Sequence, residues 1–243
     1  MTLRALANSL LSSLFEPPCA ACAQVLAQPL DGAVCERCWA SICLGTGLHE
    51  RYRDHAVDWA CAVDHYDGRL RDIIHALKYE RRRSIARPLG GLMRERGAAL
   101  LQGAELVVPV PLHPRRQRAR GFNQADDLAR QLGLPVVPLL RRVRFTTSQI
   151  ELPADARHQN VRNAFALTEG PANRLRQGFH LRRGYGGQVG AQEAGRYMGT
   201  VVVLVDDVST TGATLEACAR VLKTAGVKEV RALTAARVVT GRR

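Results

Sequence analysis

Val202-Val-Leu-Val-Asp-Asp-Val-Ser-Thr-Thr-Gly-Ala-Thr214 is the stretch that decides the fold. With Val201 it opens on five consecutive aliphatic residues, the pattern of a strand covered on both faces. The strand ends in two carboxylates, Asp206 and Asp207, and a short hydroxyl- and glycine-rich loop leads into a helical pattern over residues 213–225. Ligands bind open α/β sheets beyond the carboxyl ends of the strands, where this loop must lie. Gly212 lets backbone N–H groups come close to an anion, and the start of the following helix adds its positive dipole end. Ser209, Thr210, Thr211 and Thr214 supply hydroxyl donors, and Val208 and Ala213 complete the loop. Asp206 and Asp207 suit vicinal hydroxyls, and one of them could help hold a metal through water. Together these groups describe a pocket for a ribose 5-phosphate.

Two other readings compete. A threonine ahead of a helix is often just an N-cap. An apolar run ending in Asp-Asp also suits a Walker B strand, but that requires a P-loop. The chain has no Gly-Lys pair, which excludes a P-loop NTPase. The dinucleotide fingerprint is missing too, because Gly184, Gly186, Gly187 and Gly190 have the wrong spacing and context.

Outward from this motif, strand and helix patterns alternate. Residues 227–239 read as a further strand region, and Gly226 as the residue that ends the preceding helix. Upstream, residues 106–111 and 136–140 are short apolar runs suited to strands. Residues 69–79, 84–101 and 123–133 carry apolar positions at helical spacing, and a helix is expected near 154–161. Such alternation implies a parallel α/β sheet flanked by helices.

The amino-terminal quarter reads differently. Six of the seven cysteines precede residue 62, and four form Cys19-x2-Cys22 and Cys35-x2-Cys38. Two such knuckles can wrap tetrahedrally around one Zn²⁺. A disulfide pair competes, but nothing in the sequence suggests export; a redox site needs one such motif rather than a matched pair. Four thiolates leave no open coordination position, so the zinc is expected to be structural. Cys43 and Cys61, with His49 and His55 nearby, are too irregularly spaced for a clear second site, and Cys218 reads as a small core residue. The expected division is 1–62 for an opening helix and zinc ribbon, and 63–243 for the α/β domain.

The 243 residues suffice for a sizeable core, and the charge balance is basic at +13. Residues 1–60 carry four basic and six acidic side chains against 31 and 16 in the remainder, so the excess belongs to the α/β part. A basic body suits phosphate-bearing partners; a compositional bias towards arginine is the alternative, since only Lys78, Lys223 and Lys228 are lysines. No run of 18 apolar residues occurs, so no membrane span is expected. The opening residues lack a signal-peptide cleavage pattern, and a cytoplasmic location is expected. Residues 171–198 stand apart, with six glycines, five arginines and one glutamate. They read either as a disordered insertion or, with Phe179, Tyr185 and Tyr197 interleaved, as a tract for single-stranded nucleic acid.

The stretch Val202–Thr214 resembles the phosphoribosyl pyrophosphate (PRPP) motif of type I phosphoribosyltransferases. The wider chain resembles the ComF family, which joins an N-terminal zinc ribbon to that fold. Phe15-x-Pro-Pro-Cys19, Cys38-Trp39, Leu77-Lys-Tyr79, Val108-Pro-Val-Pro-Leu-His113, Arg120-Gly-Phe-Asn-Gln-Ala125, Gln149, Arg157 and Asn160-Val161 carry the likeness. It departs from the family in lacking a second cysteine-rich knuckle, and in the length of the Arg/Gly insertion.

The resemblance implies that Asp206 and Asp207 contact ribose hydroxyls and that residues 208–214 bind the 5-phosphate. It further implies that Pro109, Val110, Pro111, Leu112 and His113 hold pyrophosphate, with Arg116 and Arg120 favoured among the following arginines. Mg²⁺ would accompany PRPP, and the reaction would be displacement at the anomeric carbon with oxocarbenium character. The acceptor is not implied. The alternative implied function is a non-catalytic factor of DNA uptake that binds a nucleotide or single-stranded DNA, with other DNA-uptake proteins as partners.

Overall fold

The structure is a computed structural model and describes residues 2–42, 47–51, 55–144, 163–168 and 197–238. The expected helix near 154–161 and nearly all of the Arg/Gly insertion lie outside the described residues, as does Cys43.

Helix α1 (Leu3–Phe15) opens the chain. The opening helix expected from the sequence is present, and it buries a polar side chain: Asn8 is buried, its Oδ1 accepting from the Leu30 N–H at 2.9 Å. Leu3, Leu6, Leu10, Leu14 and Phe15 face outward. The cysteine knuckles follow, the second running into α2 (Glu36–Ile42).

The central sheet contains β1 (Leu48–Arg51), β2 (Trp59–His65), β3 (Leu106–Pro109), β6 (Val201–Ser209) and β7 (Glu229–Arg237), in the order β1-β2-β7-β6-β3. β1 pairs antiparallel at one edge and the other four strands run parallel. A parallel bridge from Val107 to Val136 continues the sheet beyond β3. Residue 62 therefore lies inside a strand of the main sheet, paired with Thr234 of β7. Short β4 (Leu140–Arg142) and β5 (Phe165–Leu167) form a separate antiparallel pair.

One face of the sheet is covered by α3 (Gly68–Tyr79), α4 (Ala86–Arg96) and α7 (Gln124–Ala129), the other by α8 (Ala213–Thr224) and β5. The helical pattern of residues 84–101 is interrupted at Gly97, after which α5 (Ala98–Leu101) resumes. A Cβ at Gly97 would meet Leu233 side-chain carbons at 2.7 Å and the Met93 carbonyl at 2.8 Å, so only glycine lets the helix approach β7 this closely. Helix α6 (Pro114–Arg120), between β3 and α7, has no apolar period to betray it; proline at its first position and a left-handed Gly121 at its end delimit it.

Along β6 the side chains alternate as a strand requires: Val203 and Val205 enter the core beneath α3 and α4, while Val202 and Leu204 enter the core beneath α8. The first of these cores also contains Cys19, Leu26, Val34 and Cys38, so the cysteine ribbon packs into it.

Candidate functional site

β3 and β6 are neighbours whose successors lie on opposite sides, residue 136 beyond β3 and β7 beyond β6. The crevice at their carboxyl ends is thus a topological switch point, the position at which open parallel sheets bind ligands.

From the β3 side, Val110 is pinned between strands: its N–H donates to the Val205 carbonyl at 2.9 Å, and its carbonyl accepts from Asn123 Nδ2 at 3.1 Å. Pro111, Leu112 and His113 follow, half-buried. His113 Nδ1 accepts from the Arg115 N–H at 3.2 Å and caps α6. On α6, Arg116 and Arg120 are half-buried while Arg115 and Arg118 are exposed. The Arg120 guanidinium lies over the Tyr79 ring, 5.0 Å from its centroid.

From the β6 side come the two acids, and strand alternation sends them to opposite faces. Asp207 is 4% exposed, with Oδ1 2.7 Å from Lys78 Nζ at the end of α3. Its Oδ2 is buried with no hydrogen-bond partner. Asp206 accepts from the Asp207 N–H at 2.8 Å. Burial and then the Asp207 charge push the Asp206 carboxyl up to about 7, against the pull of Lys78 and Arg142. Burial alone would lower the Lys78 pKa, but the Asp207 and Asp206 charges outweigh it and hold the ammonium charged. Arg142 of β4 has its pKa lowered by burial and by the neighbouring charge of Arg116, and lies over Phe165 at 5.3 Å.

The loop then turns. Gly212 adopts φ 75°, a left-handed conformation that glycine takes without strain, and stands at the N-cap of α8 with no side chain capping it. Thr211 Oγ1 is buried without a partner. Ser209 ends β6, and Ala213 is buried under the first turn of α8. The uncapped helix start and the orphaned hydroxyl form an anion-receptive end to the crevice.

The four ribbon cysteines bring their Sγ atoms within 4.8 Å of one another. Cys19 and Cys38 are 4.0 Å apart and Cys22 and Cys35 are 3.8 Å apart. Four thiolates about 2.3 Å from a tetrahedral zinc would be about 3.8 Å apart, so the residues fit the ion. Burial raises the Cys19 thiol pKa, yet the N–H groups of Cys35, Ala21 and Cys22 outweigh this and bring it down to about 6, while burial and the neighbouring thiols push the Cys38 thiol up. Among the described residues no other His, Cys, Asp or Glu group of three or more offers such a cluster. Cys61 Sγ lies 3.7 Å from His49 Nε2 but is otherwise a buried strand residue, and Cys218 is a wholly buried residue of α8.

The phosphoribosyl transferase domain family matches residues 118–243. Competence protein F of Haemophilus influenzae is 33% identical over 178 residues, spanning 69% of this chain and 68% of that one. The chain belongs to the ComF family. DNA utilization protein YhgH of Salmonella typhimurium is 35% identical over 179 residues, covering 70% and 67% of the two chains. A solved structure described as the allosteric regulatory enzyme of purine biosynthesis aligns with 62% of this chain at 21% identity and TM-score 0.32; the alignment spans 26% of that chain. The α/β fold with a mostly parallel sheet, the phosphoribosyl transferase domain and the four-cysteine ribbon are the ComF arrangement expected from the sequence.

Among the candidate residues, the structure brings Asp206, Asp207, the loop through Thr214 and the Pro109–His113 loop to one crevice, with Arg116 and Arg120 on the helix beyond it. The sequence reading gave no role to Lys78 or Arg142. Lys78 carried a signal, being one of three lysines in a chain whose other basic residues are arginine. Arg142 carried none, because only the folded chain brings it near Asp206.

Proposed function

We propose that the crevice binds PRPP or a ribose 5-phosphate nucleotide together with Mg²⁺, and transfers the phosphoribosyl group to an acceptor. One observation carries the reading: an acid pair at a switch point, with the buried Asp207 Oδ2 lacking a donor and an uncapped helix start alongside. A carboxylate oxygen so deeply buried is costly to leave unpaired, and a ribose hydroxyl is a donor of the right kind.

In this reading Lys78 fixes Asp207 through Oδ1, so Oδ2 accepts from a ribose hydroxyl, and Asp206 accepts from its neighbour. The N–H groups at Gly212–Thr214 and the hydroxyls of Ser209, Thr210, Thr211 and Thr214 receive the 5-phosphate. The Pro109–His113 loop and the guanidinium groups of Arg116 and Arg120 hold the pyrophosphate. As the C1–O bond breaks, pyrophosphate leaves with the electron pair, and the acceptor's lone pair forms the new bond at C1. The arginines meet the charge that grows on the leaving group. Asp206 or Asp207 would help hold Mg²⁺ with the ligand, and the ion would supply further neutralisation of that charge.

The relatives' names, which speak of competence and DNA utilization, favour a second reading. In it the same crevice binds a nucleotide without turnover, while the basic body engages single-stranded DNA.

Calorimetric titration with PRPP, with and without Mg²⁺, tests the first reading. Magnesium-dependent binding at micromolar levels that is lost in Asp207→Asn supports it. Absence of binding by the folded wild-type protein rejects it and moves the DNA-binding surface to the centre.

A further inference from the structure

The segment Lys78–Arg83 reaches several of the elements around the site just described. Lys78 holds Asp207, and the Tyr79 ring lies beneath Arg120. Arg81 Nη2 donates to the Ala119 carbonyl of α6 at 2.9 Å. Arg82 Nη1 donates to the Pro18 carbonyl at 3.2 Å, the residue before Cys19. Arg83 grips the Asp127 carboxylate of α7 with two bonds, at 2.7 and 2.6 Å. Six consecutive residues thus contact the acid pair, the arginine helix, the ribbon and α7.

The other end of α3 is tied to the same knuckle. Arg69 Nη1 donates to the Ala21 carbonyl at 2.5 Å, between Cys19 and Cys22. Between the two ties, Leu70, Ile73, Ile74 and Leu77 are at most 1% exposed, in one cluster with Cys19 and Cys38. The helix cannot shift along the sheet without the knuckle moving, because interiors this closely packed transmit displacement. The chain after α3 is also committed to one conformation: Arg81 has φ 56°, which a residue with a Cβ adopts only where its surroundings over-determine it.

We propose that α3 and the Lys78–Arg83 segment couple the cysteine ribbon to the crevice, so that metal in the ribbon sets the position of Lys78 and of α6 and thereby tightens binding of a phosphoribosyl ligand. Arg69 and Arg82 are the positioning residues at the ribbon end, and Lys78 and Arg81 those at the crevice end. The ligand readout rests on the PRPP-binding reading; the coupling itself can also be read without any ligand.

The test uses the full chain in five forms: wild type and Arg69→Ala/Arg82→Ala, each zinc-loaded and chelator-treated, and zinc-loaded Arg69→Lys/Arg82→Lys, with metal content and melting measured for each. PRPP affinity should fall about tenfold on chelation and by a similar factor in the double variant. Chelating the double variant should add less than a further twofold, as expected of perturbations acting through one link. Arg69→Lys/Arg82→Lys, which keeps a donor at both carbonyls, should recover most of the loss. Amide exchange across residues 78–83 should accelerate in the chelated protein and in the alanine variant. Wild-type PRPP affinity in a fully metallated alanine variant would overturn the coupling. So would unchanged exchange at residues 78–83 in that variant, a result that counts even if no form binds PRPP. If instead PRPP binds no form but exchange accelerates, the coupling stands and the ligand assignment falls.

Discussion

Lys78 Nζ lies 2.7 Å from Asp207 Oδ1, with the side chains only 12% and 5% exposed. The pair joins the end of α3 to the carboxyl end of β6, two elements separated by more than 120 residues of sequence. A buried ion pair adds little over a well-packed apolar pair, but a lone buried charge is costly.

Lys78→Met should therefore cost about 3–5 kcal/mol, since it leaves the Asp207 carboxylate buried without its counter-charge. Lys78→Met/Asp207→Asn should recover a large part of that loss by removing the stranded charge. Urea unfolding of the two variants decides the matter. Equal stability of Lys78→Met and wild type would mean that water reaches Asp207 freely.

The Asp206 carboxyl supplies a pH signature. Its pKa in the fold stands at about 7, above the ordinary value near 4, because it is buried beside Asp207. Between these values the folded protein binds a proton that the unfolded chain has released. Its contribution to stability is thus complete below about pH 4 and is lost as pH rises through about 7. Asp206→Asn should flatten that decline and be more stable than wild type at pH 8, by a few kcal/mol at most. PRPP affinity of the wild type should rise over the same range, because a ribose hydroxyl donates to the ionised form. The charges of Lys78, Arg142 and Asp207 all act on this group, and Asp207 is the one that raises it, so the Asp207→Asn profile should shift to lower pH.

What the sequence made legible was whatever is written in local pattern. Five aliphatics running into Asp206 and Asp207 are a buried parallel strand and its loop, and β6 runs from Val201 to Ser209. Two CxxC knuckles are a four-thiolate cluster, and their sulfurs meet. The pairings were harder. β1 and β2 carry cysteine, histidine and charged residues, so they read as part of the ribbon; only the pairing of β2 with β7, and of β1 with β2, makes them strands of the main sheet. Helix α6 is Pro-Arg-Arg-Gln-Arg-Ala-Arg, with no apolar face to detect. The partnership of Lys78 with Asp207 is a tertiary fact, and no spacing along the chain encodes it.

Gly97 offers a check on the packing. Ala at this position would place a methyl group 2.7 Å from Leu233 side-chain carbons and 2.8 Å from a backbone carbonyl. Leu233 is fully buried and cannot swing away. Gly97→Ala should destabilise by about 1–3 kcal/mol, despite alanine's better helix propensity. A stabilised variant in thermal unfolding would show that α4 and β7 are packed less closely than this.

For the ribbon, Cys35→Ser should lower zinc content and melting temperature together. Cys35 contributes both a sulfur and the backbone N–H that donates to Cys19 Sγ at 3.3 Å, so losing the thiolate opens the cluster from the side that lowers the Cys19 pKa. Because the ribbon shares a core with α3 and α4, the loss should broaden the unfolding of the whole chain rather than produce a separate early transition. Full zinc occupancy in this variant, measured by atomic absorption, would count against the four-cysteine ligand set.

The last prediction separates the ligand crevice from a nucleic-acid surface. The chain carries +13, and residues 171–198 alone hold five arginines and one acid. If single-stranded DNA is held by phosphate contacts, log affinity should fall linearly with log salt, at about 0.7 per phosphate neutralised. Deleting residues 171–198 should flatten that slope by two or more phosphates' worth, roughly 1.4 units. Asp207→Asn should leave it unchanged, because the acid pair meets no backbone phosphate in this scheme. Fluorescence anisotropy with a labelled oligonucleotide over a salt series measures both slopes. A slope unaltered by the deletion would assign the DNA contacts to arginines elsewhere in the chain, with those of α6 the first to replace.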